Sequence, residues 1–473
     1  MKTENNKTTG NHNKKKKKRT NKQLKFILLT LIMLICLLLA EIGILTLGKK
    51  KNDSKDAESE KIASEESVVT AQPSSDQSSD PAETGTTTES VNVAEVETET
   101  ESETETETEA TTEMVPTDEE RVEAFIKKMT LEEKVAQLFF VTPDSFMEMY
   151  GFNVAGPMTE ETFGTYPIAG LIMMGHNLQN VPQIENMLAN LQKFSMDRLG
   201  LPIFLSTDEE GGTVARVAGN YDLHVDDVGN MWDIGATGDP NKAYEAGLYV
   251  GGYLSDLGFN MDFAPVADVL TNPDNQVIGV RSFGSDPTLV SRMSRSFAKG
   301  LEEKGIISCY KHFPGHGATA GDTHQGYAYT DKSLEELEQS ELIPFVDAVN
   351  DGAEMIMIGH ISLPYVTEDT MPASLSYEII TGLLRKKLGF DGVVITDALN
   401  MGAITAEYSS AEACIMTIQA GADLLLEPYN FRDGYNGVLE AVKNGTISEE
   451  RIDESLRRII KLKLKILDQM EEK

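Results

Sequence analysis

Residues 311–324 read Lys-His-Phe-Pro-Gly-His-Gly-Ala-Thr-Ala-Gly-Asp-Thr-His. Three histidines, a lysine and an aspartate share a Gly/Pro-rich stretch that follows the apolar run Gly305–Cys309. Titratable groups gathered where an apolar run ends, on a segment that cannot be helical, point to a site more than to packing. Asp322 and His324 are two positions apart, so a carboxylate can hold one imidazole nitrogen while the other faces a substrate. A solvent-exposed histidine loop and a metal site compete with this reading. Asp322, His316 and His324 could be gathered round a metal, but no fourth ligand accompanies them, and no metal is expected.

Such groups need a frame. Eight short apolar runs are separated by amphipathic stretches: Val135–Val141, Gly170–Gly175, Ile203–Thr207, Asn260–Val266, Gly305–His312, Met355–Ile361, Gly392–Thr396 and Ala422–Glu427. Helical patterns such as Ser333–Val349 and Ala411–Ala420 lie between them. Thr117 to Glu120 and Thr130 to Glu133 each have the form of a capping box that opens a helix. Strands alternating with helices imply right-handed parallel crossovers, and eight such units predict an α/β fold of the (β/α)8, TIM-barrel type. A doubly wound open sheet is the alternative, although no glycine-rich dinucleotide loop opens the first unit.

The barrel reading places functional groups where the strands end. The third run ends in Asp208-Glu209-Glu210-Gly211-Gly212, and the fourth carries Asp262 and leads to Asp268. The fifth ends in Lys311 and His312, the sixth at His360, the seventh at Asp397 and the eighth at Glu427. Packing alone does not ask for polar residues at six of eight such ends.

These blocks, in this order, resemble glycoside hydrolase family 3, in its β-N-acetylhexosaminidase branch. The resemblance covers residues 118–467. It rests on Asp208-Glu-Glu-Gly-Gly-Thr-Val-Ala-Arg216, Asn260-Met-Asp-Phe-Ala-Pro-Val-Ala-Asp268 and Arg281-Ser-Phe-Gly-Ser-Asp286. Lys311-His-Phe-Pro-Gly-His-Gly317 with Asp322-Thr-His324, and Ile395-Thr-Asp-Ala-Leu-Asn-Met401, complete it. Ala318 departs from the family, which often has Asp there; no chemistry is assigned to that position. The resemblance implies a retaining glycosidase with Asp397 as nucleophile. It implies His324 as acid/base, with Asp322 orienting the ring. A histidine titrates near neutrality and can donate and then accept a proton. Asp208, Arg216, Arg281, Lys311 and His312 are implied as substrate clamps, with no cofactor. His316 is expected to support its loop and His360 to stand behind the site; His176 and His224 receive no role. No second domain is expected after the last helix, Ser448–Leu467.

The remainder of the 473 residues is of a different kind. Residues 1–25 are basic, with Lys14 to Arg19 all cationic. Residues 26–47 are almost wholly apolar, about 33 Å as a helix at about 1.5 Å per residue and so long enough to cross a bilayer. No small-x-small cleavage pattern follows, which favours an uncleaved anchor over a signal peptide. The basic cluster before it keeps the N-terminus in the cytoplasm. The expectation is a single-pass protein of the cell membrane with its catalytic part outside the cell. Residues 48–116 are Ser, Thr and Glu with almost no aromatics, a linker unable to offset its ordering entropy. Residues 117–473 form the catalytic domain. The net charge of −34 argues against a nucleic-acid partner. Three widely spaced cysteines, Cys36, Cys309 and Cys414, offer neither a disulfide framework nor zinc spacing.

The function expected is therefore exo-acting cleavage of terminal N-acetyl-β-glucosaminides from wall-derived muropeptides or chitin-like oligosaccharides. A β-glucosidase, a phosphorylase on the same fold and a non-catalytic wall-binding protein are the alternatives.

Overall fold

The computed structural model describes residues 116–321, 326 and 328–471. The basic tail, the proposed anchor at 26–47 and the linker up to residue 115 lie outside the described residues, as do Asp322 and His324. Among the described residues no helix is long and apolar enough to cross a membrane.

The strands that position the site are β1 (Phe139–Val141), β2 (Gly170–Ile172), β3 (Phe204–Ser206), β4 (Met261–Asp262), β5 (Ile307–Ser308, continuing as Tyr310–Phe313), β6 (Met355–Ile358), β7 (Val393–Thr396) and β8 (Leu425–Leu426). All are buried on both faces, which is why their sequences read as unbroken apolar runs and not as alternation. Parallel ladders join β8 to β1, β1 to β2 and β2 to β3. Backbone bonds from Asn260 N to the Leu205 carbonyl and from Phe263 N to the Thr207 carbonyl tie β4 to β3. Further parallel pairs join β4 to β5, β5 to β6 and β6 to β7. A parallel bridge between Ile395 and Leu424 connects β7 with the start of β8.

Helices lie between the strands. The two capping boxes form as the sequence suggests: Thr117 and Thr130 accept from the backbone N–H of Glu120 and Glu133, whose carboxylates return the bond. The helix Pro240–Leu257 ends at Gly258 with φ 97°, a left-handed conformation that glycine adopts without a Cβ clash. Phe140, Phe204 and Phe263 meet in the interior, with centroid separations of 6.4 Å for Phe140–Phe204 and 5.2 Å for Phe140–Phe263. Cys309 and Cys414 are buried free thiols.

Two sequence expectations need correction. Val135 and Ala136 belong to the helix Leu131–Ala136, so the first strand starts only at Phe139. The capping box at Thr130 sets the helical period, and the apolar residues that follow it fill a helix face. The pattern over Ser333–Val349 is two helices, Leu334–Glu338 and Ile343–Asn350. Between them lies Glu341, fully buried and paired with Lys332 at 2.5 Å.

Candidate active site

The turn after β3 is a tight hairpin, Glu209–Gly211 pairing antiparallel with Val214–Ala215. Gly212 at its tip has φ 60°, and a Cβ there would collide with Asn230. Alternation along Asp208-Glu209-Glu210 sends the outer two carboxylates one way and the middle one the other. Glu209 accepts from Val217 N at 2.7 Å, Ala218 N at 2.8 Å and the Tyr253 hydroxyl at 2.8 Å, which closes the hairpin. Asp208 and Glu210 both reach Lys311 from β5, at 2.8 and 2.6 Å. Glu210 also takes a two-pronged bond from Arg281, at 2.7 Å from Nε and 2.8 Å from Nη2. Burial would raise the Glu210 carboxyl, but Arg281 and Lys311 hold it well below its ordinary range. Burial works against the charge of Lys311, and Asp208 and Glu210 overcome it, so this ammonium is held charged.

His312, next along β5, is organised by Asp268, which follows β4. The Asp268 carboxylate bonds His312 Nδ1 at 2.7 Å and also accepts from the backbone N–H of His312 at 3.2 Å and of His316 at 2.6 Å. Burial opposes the Asp268 charge, while the imidazole and these donors bring its pKa below normal. The bond to Nδ1 leaves Nε2 of His312 as the ring atom able to meet a ligand. His316 is buried, its Nδ1 facing the Thr319 hydroxyl at 2.9 Å; its Nε2 is buried without a partner among the described residues. Burial lowers it to about 4, so the ring is neutral at pH 7. Gly317 lets the loop pass against the Val269 carbonyl, where a Cβ would clash.

Asp397 follows β7 directly. Its backbone N–H bonds the Ile358 carbonyl of β6 at 2.8 Å, and its Oδ1 accepts from Ala398 N at 2.8 Å. His360, after β6, donates from Nε2 to the Ala398 carbonyl at 2.8 Å and pairs Nδ1 with Ser374 at 2.7 Å, so it clamps the turn that carries Asp397. Burial alone would raise the Asp397 carboxyl. His360, His312, the Ala398 N–H and Lys311 bring it below its ordinary value, which keeps it a carboxylate.

The structure thus joins Asp208, Lys311 and Arg281 through Glu210, holds His312 on Asp268, and places Asp397 close enough to His312 and Lys311 for their charges to act on it. Arg216 sits on the outgoing side of the hairpin, with its Nε buried and unbonded among the described residues. Glu210 and Asp268 were not assigned roles from sequence, yet they organise three of the five implied clamps. The spacing of Asp208 and Glu210, two apart on an extended segment, was the signal for the first. Glu427, at the end of β8 with φ 47°, accepts from Thr142 N and from Asn400 Nδ2 at 3.3 Å; burial raises it to about 7. Among the described residues no cluster of three or more His, Cys, Asp or Glu could hold a metal.

Fold and site define an α/β protein that gathers its chemistry at the carboxyl ends of parallel strands. The glycosyl hydrolase family 3 N-terminal domain matches residues 130–462, and the chain belongs to that family. Beta-hexosaminidase A of Pseudoalteromonas piscicida is 36% identical over 335 residues, which cover 66% of this chain and 55% of that protein. Beta-hexosaminidase LpqI of Mycobacterium tuberculosis is 35% identical over 271 residues, 56% of this chain and 68% of its own length. A family 3 β-N-acetylglucosaminidase from Paenibacillus sp. str. FPU-7 superposes with a TM-score of 0.67 at 37% identity, covering 72% of this chain and 63% of that one. The chain therefore spans little more than half the length of the first of these relatives.

Proposed function

We propose that this chain is a retaining, exo-acting β-N-acetylhexosaminidase. It removes terminal N-acetyl-β-glucosaminyl units from muropeptide or chitin-like oligosaccharides. The observation that carries the reading is Asp397, an ionised carboxylate fixed at the end of β7 beside cationic and imidazole groups. The names of the relatives, hexosaminidases and an N-acetylglucosaminidase, agree with it. The eight strands are read as a (β/α)8 barrel. Supporting this, parallel pairing passes from each strand to the next and from β8 back to β1.

In this mechanism Asp397 attacks the anomeric carbon as the glycosidic bond breaks, and His324 gives its proton to the departing oxygen. Asp322 orients the His324 ring. His324 then takes a proton from water, which attacks the same carbon and releases Asp397. Asp208, Lys311, Arg281, His312 and Arg216 bind the hydroxyls and the acetamide of the terminal sugar. No cofactor takes part. Residues 26–47 anchor the chain in the cell membrane, and 48–116 space the catalytic domain, 117–473, from it on the outer side.

The test is hydrolysis of an aryl N-acetyl-β-glucosaminide by the full chain, with and without inorganic phosphate. Turnover without phosphate, and weaker turnover of the matching aryl glucoside, is the expected result. Dependence on phosphate, or a preference for the glucoside, would replace the proposed reaction with phosphorolysis or glucoside cleavage.

A further inference from the structure

The segment between β5 and the helix Leu334–Glu338 carries the residues proposed as acid/base pair. Asp322 and His324 themselves lie outside the described residues, but both feet of the segment lie within them. The feet meet at a group that the proposed reaction does not use. It is Glu341, fully buried in the turn between the helices Leu334–Glu338 and Ile343–Asn350.

The outgoing foot is fastened to the loop that follows β4. His316 N donates to Asp268 at 2.6 Å, and Asn272 N donates to the Gly317 carbonyl at 3.0 Å. Asn275 Nδ2 donates to the His316 carbonyl at 2.8 Å and Asn272 Nδ2 to the Thr319 carbonyl at 2.9 Å. The returning foot, Ala328–Tyr329, pairs in parallel with Ile361–Ser362, directly after His360. The two feet also meet each other: Ala320 and Tyr329 exchange both backbone bonds, at 3.0 and 3.1 Å. His360 bonds the Ala398 carbonyl, so the segment is referenced to the same short stretch as the turn that carries Asp397.

Glu341 joins these pieces. Its Oε1 accepts from the Thr271 hydroxyl of the β4 loop at 2.6 Å and from Lys332 Nζ, just past the returning foot, at 2.5 Å. Its Oε2 accepts from the Ser340 hydroxyl at 2.6 Å. Gly315 opens the outgoing foot with φ 127° and lies so close to Glu341 that a Cβ would collide with its side chain. One carboxylate therefore touches the β4 loop, the outgoing foot and the residue that ends the returning one. An apolar side chain would fill this space without the cost of burying a charge, but it would gather none of the three donors.

A groove of about 950 Å³ between the helix Glu449–Glu471 and the amino ends of β6 and β7 lies at the other end of the strands. There Arg457, Arg458 and Lys465 are already paired with Glu123, Asp391 and Glu354. It has no such hold on the site.

We infer that Glu341 is a positioning residue: it fixes both feet of residues 314–332 against the β4 loop and thereby sets how His324 meets the departing oxygen. The first half stands on the contacts alone, and the second rests on the proposed function.

The experiment compares the full chain with its Glu341→Leu, Glu341→Gln and Lys332→Met variants in two measurements. The first is amide hydrogen exchange at Ala320 and Tyr329, where the feet meet. Exchange there should be roughly ten-fold faster in Glu341→Leu, the worth of a bond to a charged group, while the amides of β6 stay as they were. Glu341→Gln keeps one acceptor oxygen and should fall in between. The second is kcat/KM on diacetylchitobiose, whose leaving sugar needs a proton, and on a dinitrophenyl N-acetyl-β-glucosaminide, whose leaving group does not. A small misplacement of a reacting group costs up to about 100-fold. Glu341→Leu should therefore lose roughly 10- to 100-fold on the disaccharide and less than about 3-fold on the aryl glycoside. Inhibition by N-acetylglucosamine should be unchanged. Lys332 is partly exposed, so Lys332→Met should show the same split even if Glu341→Leu does not fold. Unchanged exchange at Ala320 and Tyr329 would overturn the inference. So would equal losses on the two substrates, the mark of a role in stability alone. If the unaltered chain cleaves neither substrate, the proposed function falls, and faster exchange in the variants leaves the anchoring role of Glu341 standing.

Discussion

Asp397 and His324 divide the proposed chemistry, and each can be removed alone. Asp397→Ala takes away the group that forms the covalent intermediate, while its neighbours Ile358 and Ala398 keep the backbone of the turn. Turnover of an activated aryl glycoside should fall by roughly 10⁴–10⁶-fold, as when one member of a nucleophilic set is deleted. A kcat near that of the wild type would exclude Asp397 as nucleophile. His324→Ala should separate leaving groups. A poor one needs a proton as its bond breaks and should lose roughly 10²–10⁴-fold, whereas a dinitrophenolate leaves unaided in the first step. Equal losses on both, with no burst on the activated substrate, would move the acid/base elsewhere. The residues proposed for the chemistry stood out in the sequence because their types are unusual at the ends of apolar runs. Their partners did not, because Lys311 and Asp208 are 103 positions apart and His312 and Asp268 are 44 apart. Spacing along the chain does not reveal which distant carboxylate a cation will meet.

At the level of elements, the last helix carries a test of its own. Glu449–Glu471 inserts Lys463 into the core, fully buried, with its Nζ 2.8 Å from Gln137 Oε1 and 5.1 Å from the centre of the Phe204 ring. Burial lowers it from 10.5 to about 7. Between those values the unfolded chain binds a proton that the folded chain has lost, so stability rises with pH across this window. Below pH 7 both states are protonated and the full penalty stands. Denaturant unfolding should show the wild type gaining roughly 1.4 kcal/mol per pH unit between about pH 7 and 10 relative to Lys463→Met. Parallel profiles for the two proteins would mean that the ammonium is solvated or paired. The apolar period of this helix was plain in the sequence, and it ran to Glu471, past the expected Leu467. The lysine on its buried face broke the pattern and could not be placed. The first strand was misjudged for the converse reason: Val135 and Ala136 are as apolar as a strand, and only the capping box at Thr130 assigns them to a helix.

For the whole molecule, the eight strands and the end of them at which Asp208, Lys311 and Asp397 stand were readable from eight runs and their polar ends. The pairing of β8 with β1 was an expectation of architecture, and its register, Phe139 with Leu425, came only with coordinates. The proposed anchor and linker make a prediction at this scale. Cell fractionation should leave the full chain in the membrane pellet. Added protease should release a fragment beginning near Thr117, because a Ser/Thr/Glu stretch without a core is cut before a packed domain is. A shorter soluble protein in the medium, starting just after Leu47, would show a signal peptide instead.

The first and last helices of the folded part are clasped together. Arg121 reaches Asp468 at 2.6 Å and Arg457 reaches Glu123 at 2.6 Å. Asp118 lines the groove at the amino ends of β6 and β7, while Asp208, Lys311 and Asp397 stand at the opposite ends of their strands. The clasp therefore lies at the pole opposite the proposed site. Under the proposed function a glycan arrives at the other end of the strands, so loosening the clasp should lower stability before it lowers turnover.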